Sequence, residues 1–178
     1  MEDYKNFLKE VLITRENLQK RITELGEEIS QDYEGKELLL ISILRGGVFF
    51  TVDLMKNIDI PHVVEFMGIS SYGIGAREST GNVRITYDIQ TNIKDKHVLL
   101  VEDIIDSGHT LSSVIEKLRI QHPASLEVCT LLDKASRREV DVPIRYCGFD
   151  IEDKFVFGYG LDIDEYFRGL PFIGVVDL

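Results

Sequence analysis

The stretch Glu37–Leu44 (ELLLISIL) is aliphatic at nearly every position and shows no alternation of polar and apolar residues. A strand with one face in water alternates. A continuous run of this kind implies a strand covered on both faces, as in a parallel sheet packed between helices. Arg45-Gly46-Gly47 breaks the run, and Val48, Phe49, Val52 and Met55 then recur at helical spacing. Upstream, Thr14 reads as the N-cap of a helix with Leu18, Ile22, Leu25 and Ile29 on one face, stopped by Gly35.

The same alternation of elements continues downstream. After Pro61, His62–Met67 reads as a strand, followed by a long polar loop at Ser70–Asn82. Val83, Ile85 and Tyr87 alternate against Arg84, Thr86 and Asp88, as the second arm of a hairpin would. Then come a strand at His97–Glu102, a turn at Asp103–Gly108, a helix at Thr110–Gln121 and a strand at Leu126–Leu132. A basic loop, Lys134–Arg138, precedes further strands at Ile144–Phe149, Phe155–Tyr159 and Phe172–Val176. Strands alternating with helices imply right-handed βαβ units, so the expected fold class is α/β: a parallel sheet flanked by helices. The extra strands near both ends are expected to form a small hood. At 178 residues, without repeat or linker, the chain is expected to be one domain spanning 1–178.

The stretch Val98–Thr110 (VLLVEDIIDSGHT) carries the most chemistry. Its strand delivers Glu102 and Asp103 to the carboxyl end, where open α/β sheets place their ligands. Asp106-Ser107-Gly108-His109-Thr110 then turns into a helix. Gly108 permits close backbone approach, Ser107 and Thr110 supply hydroxyls, and the helix start supplies unpaired N–H groups: a cup for a phosphate monoester. A Walker loop would need a longer glycine–lysine run. Acids directly before such a cup suit ribose hydroxyls and a hydrated divalent ion, since Mg²⁺ takes one or two carboxylates and completes its shell with waters and substrate oxygens.

Lys plus Arg is 20 and Asp plus Glu is 31, a net charge of −11. That balance argues against non-specific nucleic-acid binding, which needs cations against phosphates. No apolar run approaches the roughly 20 residues of a membrane span, and the acidic start Met1-Glu2-Asp3-Tyr4 does not read as a signal peptide, so the cytoplasm is the expected location. Cys129 and Cys147 lie in strand-like segments without metal-ligand spacing and read as small buried hydrophobes.

Val98–Thr110 resembles the phosphoribosyl-pyrophosphate (PRPP) motif of the type I phosphoribosyltransferases, and the chain as a whole resembles the hypoxanthine-guanine branch, from Val11-Leu12-Ile13 to the C-terminal strand. The resemblance implies a type I phosphoribosyltransferase fold whose hood is built from the N-terminal and C-terminal segments. It implies purine salvage: Mg²⁺-dependent transfer of 5-phosphoribosyl from PRPP to N9 of hypoxanthine or guanine, giving IMP or GMP and pyrophosphate.

Site residues carry over one by one. Glu102, Asp103, Asp106, Ser107, Gly108, His109 and Thr110 match the ribose-5-phosphate site, and Arg45, Gly46 and Arg168 the pyrophosphate site, with a cis peptide before Arg45. Ser71 and Tyr72 match a loop that covers the reacting centre. Lys134 matches the donor to purine O6, Phe155 and Ile104 the two faces around the base, and Val156 the backbone that reads its edge. Asp162 matches a residue beside the base and, with Glu102 and Asp103, a magnesium ligand. Asp106 matches the catalytic acid near purine N7, as general base or as electrostatic stabiliser. Taken alone, Lys134 reads as a solvated lysine and Tyr72 as packing at a hairpin tip; Arg137 and Arg138 read as solvated surface.

His109 stands where some relatives carry lysine, Ser107 where they carry threonine, and Phe157 is bulkier than the aliphatic residue of others. Hypoxanthine, guanine and xanthine differ at C2, which no side chain here addresses. A regulator of the same fold that binds RNA is the rival reading, opposed by the acidic charge and the full set of catalytic residue types. Relatives assemble, so a homodimer or homotetramer is expected.

Overall fold

The computed structural model describes residues 3–71 and 83–176. In chain order its elements are β1 (Leu8–Ile13), α1 (Arg15–Asp32), β2 (Leu38–Leu44), α2 (Val48–Met55), β3 (His62–Ser71), β4 (Val83–Tyr87), β5 (His97–Ile105), α3 (His109–Arg119), β6 (Ser125–Asp133), β7 (Ile144–Asp150), β8 (Val156–Phe157) and β9 (Ile173–Val176). Short 3₁₀ turns occupy Tyr4–Asn6 and Ala135–Arg137.

The aliphatic run becomes β2, near the middle of a six-stranded sheet ordered β4-β3-β2-β5-β6-β7. β3, β2, β5, β6 and β7 run parallel, and β4 pairs antiparallel with β3 as the hairpin reading required. Both faces of the central strands are covered. Leu38 and Leu40 of β2, with Leu99 and Val101 of β5, pack toward Leu18, Ile22, Leu25 and Ile29 of α1 and Phe50 and Leu54 of α2. Their alternate neighbours Leu39, Ile41, Val98 and Leu100 pack with Leu111, Val114, Ile115 and Leu118 of α3. Two buried faces remove the need for polar positions, which is why these strands do not alternate.

β1, β9 and β8 form a separate antiparallel sheet that joins the two ends of the described chain, with Leu8 opposite Val176 and Ile13 opposite Ile173. Thr14 caps α1, its hydroxyl accepting from Asn17 N at 3.3 Å. Among the described residues no helix is long and apolar enough to cross a membrane.

The buried residues of α2 are Phe50, Thr51 and Leu54, whereas Phe49 and Val52 are 36% and 38% exposed. The helix is apolar on nearly all sides, so periodicity cannot select a face, and packing against α1 and β5 does. Several local expectations are corrected. β5 continues through Ile105, so the turn begins at Asp106 rather than Asp103. Ser70 and Ser71 belong to β3 rather than to the polar loop, and the rest of that loop, with Tyr72, lies outside the described residues. The strand expected at Phe155–Tyr159 shrinks to Val156–Phe157, because Gly158 and Gly160 take positive φ. Cys129 is buried, Cys147 only half-buried, and both thiols are free.

Candidate active site

The carboxyl ends of β2, β5 and β6 lie side by side, and each hands the chain to a loop carrying expected site residues. Such an edge is where open α/β sheets bind ligands. After β2 the Leu44–Arg45 peptide is cis, and Gly46 follows. The Asp103 carboxylate of β5 fills the space a Cβ on Gly46 would take, and a Cβ on Gly160 would in turn meet the Gly46 carbonyl. A side chain at Gly46 would therefore have to displace the Asp103 carboxylate.

After β5, Gly108 takes φ 91° and opens α3. A Cβ there would meet the Val140 carbonyl at 2.7 Å. Ser107 O accepts from Glu139 N (3.0 Å) and Val140 N (3.1 Å), which ties the turn to the loop after β6. His109 Nε2 lies 2.8 Å from Glu139 Oε2. The start of α3 directs its unpaired N–H groups into this turn, a favourable place for an anion.

The two acids before the turn share a strained electrostatic environment. Burial, reinforced by the neighbouring Asp103 charge, pushes Glu102 well above the ordinary carboxylate range. Burial also raises Asp103, against hydrogen bonds from Glu102 and from the Ile104 amide at 2.9 Å. Among the described residues no three His, Cys, Asp or Glu side chains converge on a metal position. A pair of adjacent carboxylates whose charge is disfavoured nevertheless suits a hard divalent cation that brings its own waters. Asp162 instead pairs with Arg168 at 2.7 Å and accepts from Glu165 N at 2.7 Å.

At the end of β6, Lys134 is only 5% exposed. Its Nζ lies 3.8 Å from Asp106 Oδ2 and 3.6 Å from Asp153 Oδ1. Arg137 closes a square of charges, with Nε 3.3 Å from Asp106 Oδ1 and Nη1 3.4 Å from Asp153 Oδ1. Arg137 donates to Asp153 but makes no hydrogen bond to Asp106, and among the described residues Asp106 Oδ1 is a buried oxygen without a hydrogen-bond donor. Ile104 is half-buried beside it, Val156 is buried, and the Phe155 ring is exposed.

Arg45 and Arg168 share the Glu165 carboxylate. Arg45 Nη2 lies 2.8 Å from Glu165 Oε1, Arg168 Nη2 lies 3.0 Å from Glu165 Oε2, and Arg168 Nη1 donates to Gly160 O at 2.7 Å. The hydrogen bond from Arg168, joined by the Arg45 charge, holds Glu165 below its ordinary range.

A phosphoribosyl transferase domain model matches residues 12–164. The chain belongs to the phosphoribosyltransferase family. Among its relatives in this family is a hypoxanthine phosphoribosyltransferase of Salmonella typhimurium, 49% identical over 171 residues, covering 95% of this chain and 96% of the relative. A hypoxanthine-guanine phosphoribosyltransferase of Mycobacterium avium is 48% identical, with 99% and 89% covered. A crystal structure of a Staphylococcus aureus hypoxanthine phosphoribosyltransferase superposes with a TM-score of 0.93 at 46% identity, covering 97% of this chain and 94% of that one. A Trypanosoma cruzi hypoxanthine phosphoribosyltransferase, described for the role of its C-terminal region in oligomeric state and activity, matches at 37% identity and TM-score 0.91, covering 99% and 95%.

Within this phosphoribosyltransferase the fold gathers Arg45, Gly46, Glu102, Asp103, Asp106–Thr110 and Lys134 along one sheet edge, while Asp162 pairs with Arg168, which donates to O of Gly160, the residue packed against Gly46. Ser71 ends β3. Arg137 is surface-exposed as read, but Arg138 is not solvated surface. Arg137 belongs to the charge square, while Arg138, 16% exposed, pairs with the Asp133 carboxylate and donates to Asp106 O at 3.0 Å. Reading the sequence passed over Asp153 and Glu165 as well. Glu165 stands three residues before Arg168, a spacing that brings side chains together in a tight turn; Asp153 carries no local signal.

Proposed function

We propose that the chain transfers a 5-phosphoribosyl group from PRPP to N9 of hypoxanthine and of guanine, releasing pyrophosphate. The observation that carries this reading is buried Lys134 beside Asp106, at the end of the strand next to the phosphate turn. Lys134 presents an ammonium to O6 of a 6-oxopurine, and the half-exposed Asp106 carboxylate accepts from the N7–H of the same base. The N9–C1′ bond forms as the C1′–pyrophosphate oxygen bond breaks, and Asp106 takes the purine proton, a role worth about 10²–10⁴-fold.

Ser107, Gly108, His109 and Thr110 hold the 5′-phosphate, and Glu102 and Asp103 orient the ribose hydroxyls. Arg45, Gly46 and Arg168 stabilise the charge that develops on pyrophosphate. Ile104 and Phe155 flank the base and the Val156 backbone reads its edge; a covering role for Ser71, the last residue of β3, and Tyr72 belongs to the same proposal. Glu102, Asp103 and Asp162 are the groups that would hold Mg²⁺, which supplies neutralisation of the pyrophosphate charge. In this reading residues 1–178 act as one domain, with the β1-β9-β8 sheet as its hood. Exposed Phe49 and Val52 on α2 support a homodimer or homotetramer, which sedimentation measures directly.

The test is pyrophosphate release from PRPP and Mg²⁺ with hypoxanthine, guanine, xanthine and adenine in separate reactions. Release with hypoxanthine and guanine supports the reading; release only with adenine, or with none, overturns it.

A further inference from the structure

Glu165 occupies a position that its own turn dictates. Asp164 and Glu165 take left-handed φ of 49° and 71°, and Ile163 and Tyr166 close the turn with two backbone hydrogen bonds, 3.1 and 2.9 Å. Glu165 N donates to Asp162 at 2.7 Å. The turn thereby aims the Glu165 carboxylate between two guanidinium groups that come from opposite ends of the chain. One oxygen meets Arg45 at 2.8 Å and the other meets Arg168 at 3.0 Å. Two oxygens bridging two arginines is also how adjacent oxygens of a diphosphate would engage them.

We propose that Glu165 competes with pyrophosphate for Arg45 and Arg168, and so sets how tightly the enzyme holds the diphosphate half of PRPP and its product. The proposal rests on the reading of those arginines as the pyrophosphate site. The Arg45 and Glu165 side chains are 70% and 56% exposed, so their pair is weak and yields readily to a more highly charged anion. Its presence keeps both guanidinium groups oriented toward each other while weakening net diphosphate affinity, which favours product departure. Arg168 is further anchored by Gly160 O and Asp162, so Arg45 is the more easily recaptured of the two.

Calorimetric titration of inorganic pyrophosphate, with and without Mg²⁺, tests this on the parent, Glu165→Gln, Glu165→Ala, Arg45→Ala and the Arg45→Ala/Glu165→Gln double variant. Both Glu165 substitutions should tighten pyrophosphate about two- to fivefold, with or without Mg²⁺, the scale of an exposed ion pair. Arg45→Ala should weaken it, and the gain from Glu165→Gln should shrink in that background. If Arg45→Ala weakens binding while the Glu165 variants bind pyrophosphate equally or less well, the competition is overturned and the pyrophosphate reading stands. If Arg45→Ala leaves pyrophosphate affinity unchanged, that reading fails and takes the proposal with it.

Discussion

Lys134 Nζ stands 3.8 Å from Asp106 Oδ2, although the two residues leave different strands, β6 and β5. Their neighbouring strands bring a buried cation and a carboxylate with an undonated oxygen to one point. A flat purine with an acceptor oxygen at C6 and an N–H at N7 would complement both.

Asp106→Asn should keep the fold and PRPP binding and lower turnover by about 10–10³-fold, because the acceptor of the purine proton is lost while the phosphate turn stays. Single-turnover kinetics check it. Unchanged chemistry would remove Asp106 as the base and leave it an electrostatic part of the charge square.

Base selection follows from Lys134. Lys134→Ala should lower activity with hypoxanthine and guanine together. Adenine should be a very poor substrate of the parent protein, since its 6-amino group sets a donor against a buried ammonium, at a cost of at least ~1–3 kcal/mol. Competition of hypoxanthine and adenine for limiting PRPP measures this, and comparable rates would contradict the 6-oxopurine reading.

Gly46→Ala should leave a folded protein with kcat/KM reduced by at least ~10²-fold. The new methyl group claims the space of the buried Asp103 carboxylate and should displace it, and with it the acid pair. Ångström-scale misplacement in a reacting site costs about that much. Steady-state kinetics beside a thermal melt separate this from unfolding, and full activity would show that Asp103 is free to shift.

Tyr159→Phe tests the tie between the loop after β8 and α2. The Tyr159 hydroxyl donates to Asp53 at 2.6 Å, and Gln19 and Lys56 bond the same carboxylate at 3.1 and 3.0 Å. Burial raises Asp53, but those hydrogen bonds outweigh it and hold the group below its ordinary range. A lowered carboxylate contributes stability that is complete above its unfolded value of about 3.9 and is lost as pH falls through the folded value. Tyr159→Phe should therefore cost about 1–2 kcal/mol at neutral pH. The gap from the parent should narrow below about pH 4, as denaturant titrations at several pH values would show. A pH-independent gap would mean the hydroxyl acts through packing.

Much of this protein is written locally. Leu38–Leu44 specifies a doubly covered strand by its composition, Thr14 and the 4-3-4 spacing of Leu18, Ile22, Leu25 and Ile29 specify α1, and Asp106–Thr110 carries its own turn, hydroxyls and helix start. Those features depend on dihedral preference and periodicity, which neighbours in sequence determine. The tertiary structure alone decided which face of the apolar α2 is buried, that Lys134 leaves solvent, that Arg137 and Asp153 join Asp106, and that Glu165 reaches Arg45 from the far end of the chain. Each is a contact between segments distant in sequence. The sheet order β4-β3-β2-β5-β6-β7 sets which loops meet, and the energy of a charge or an apolar face depends on what it meets.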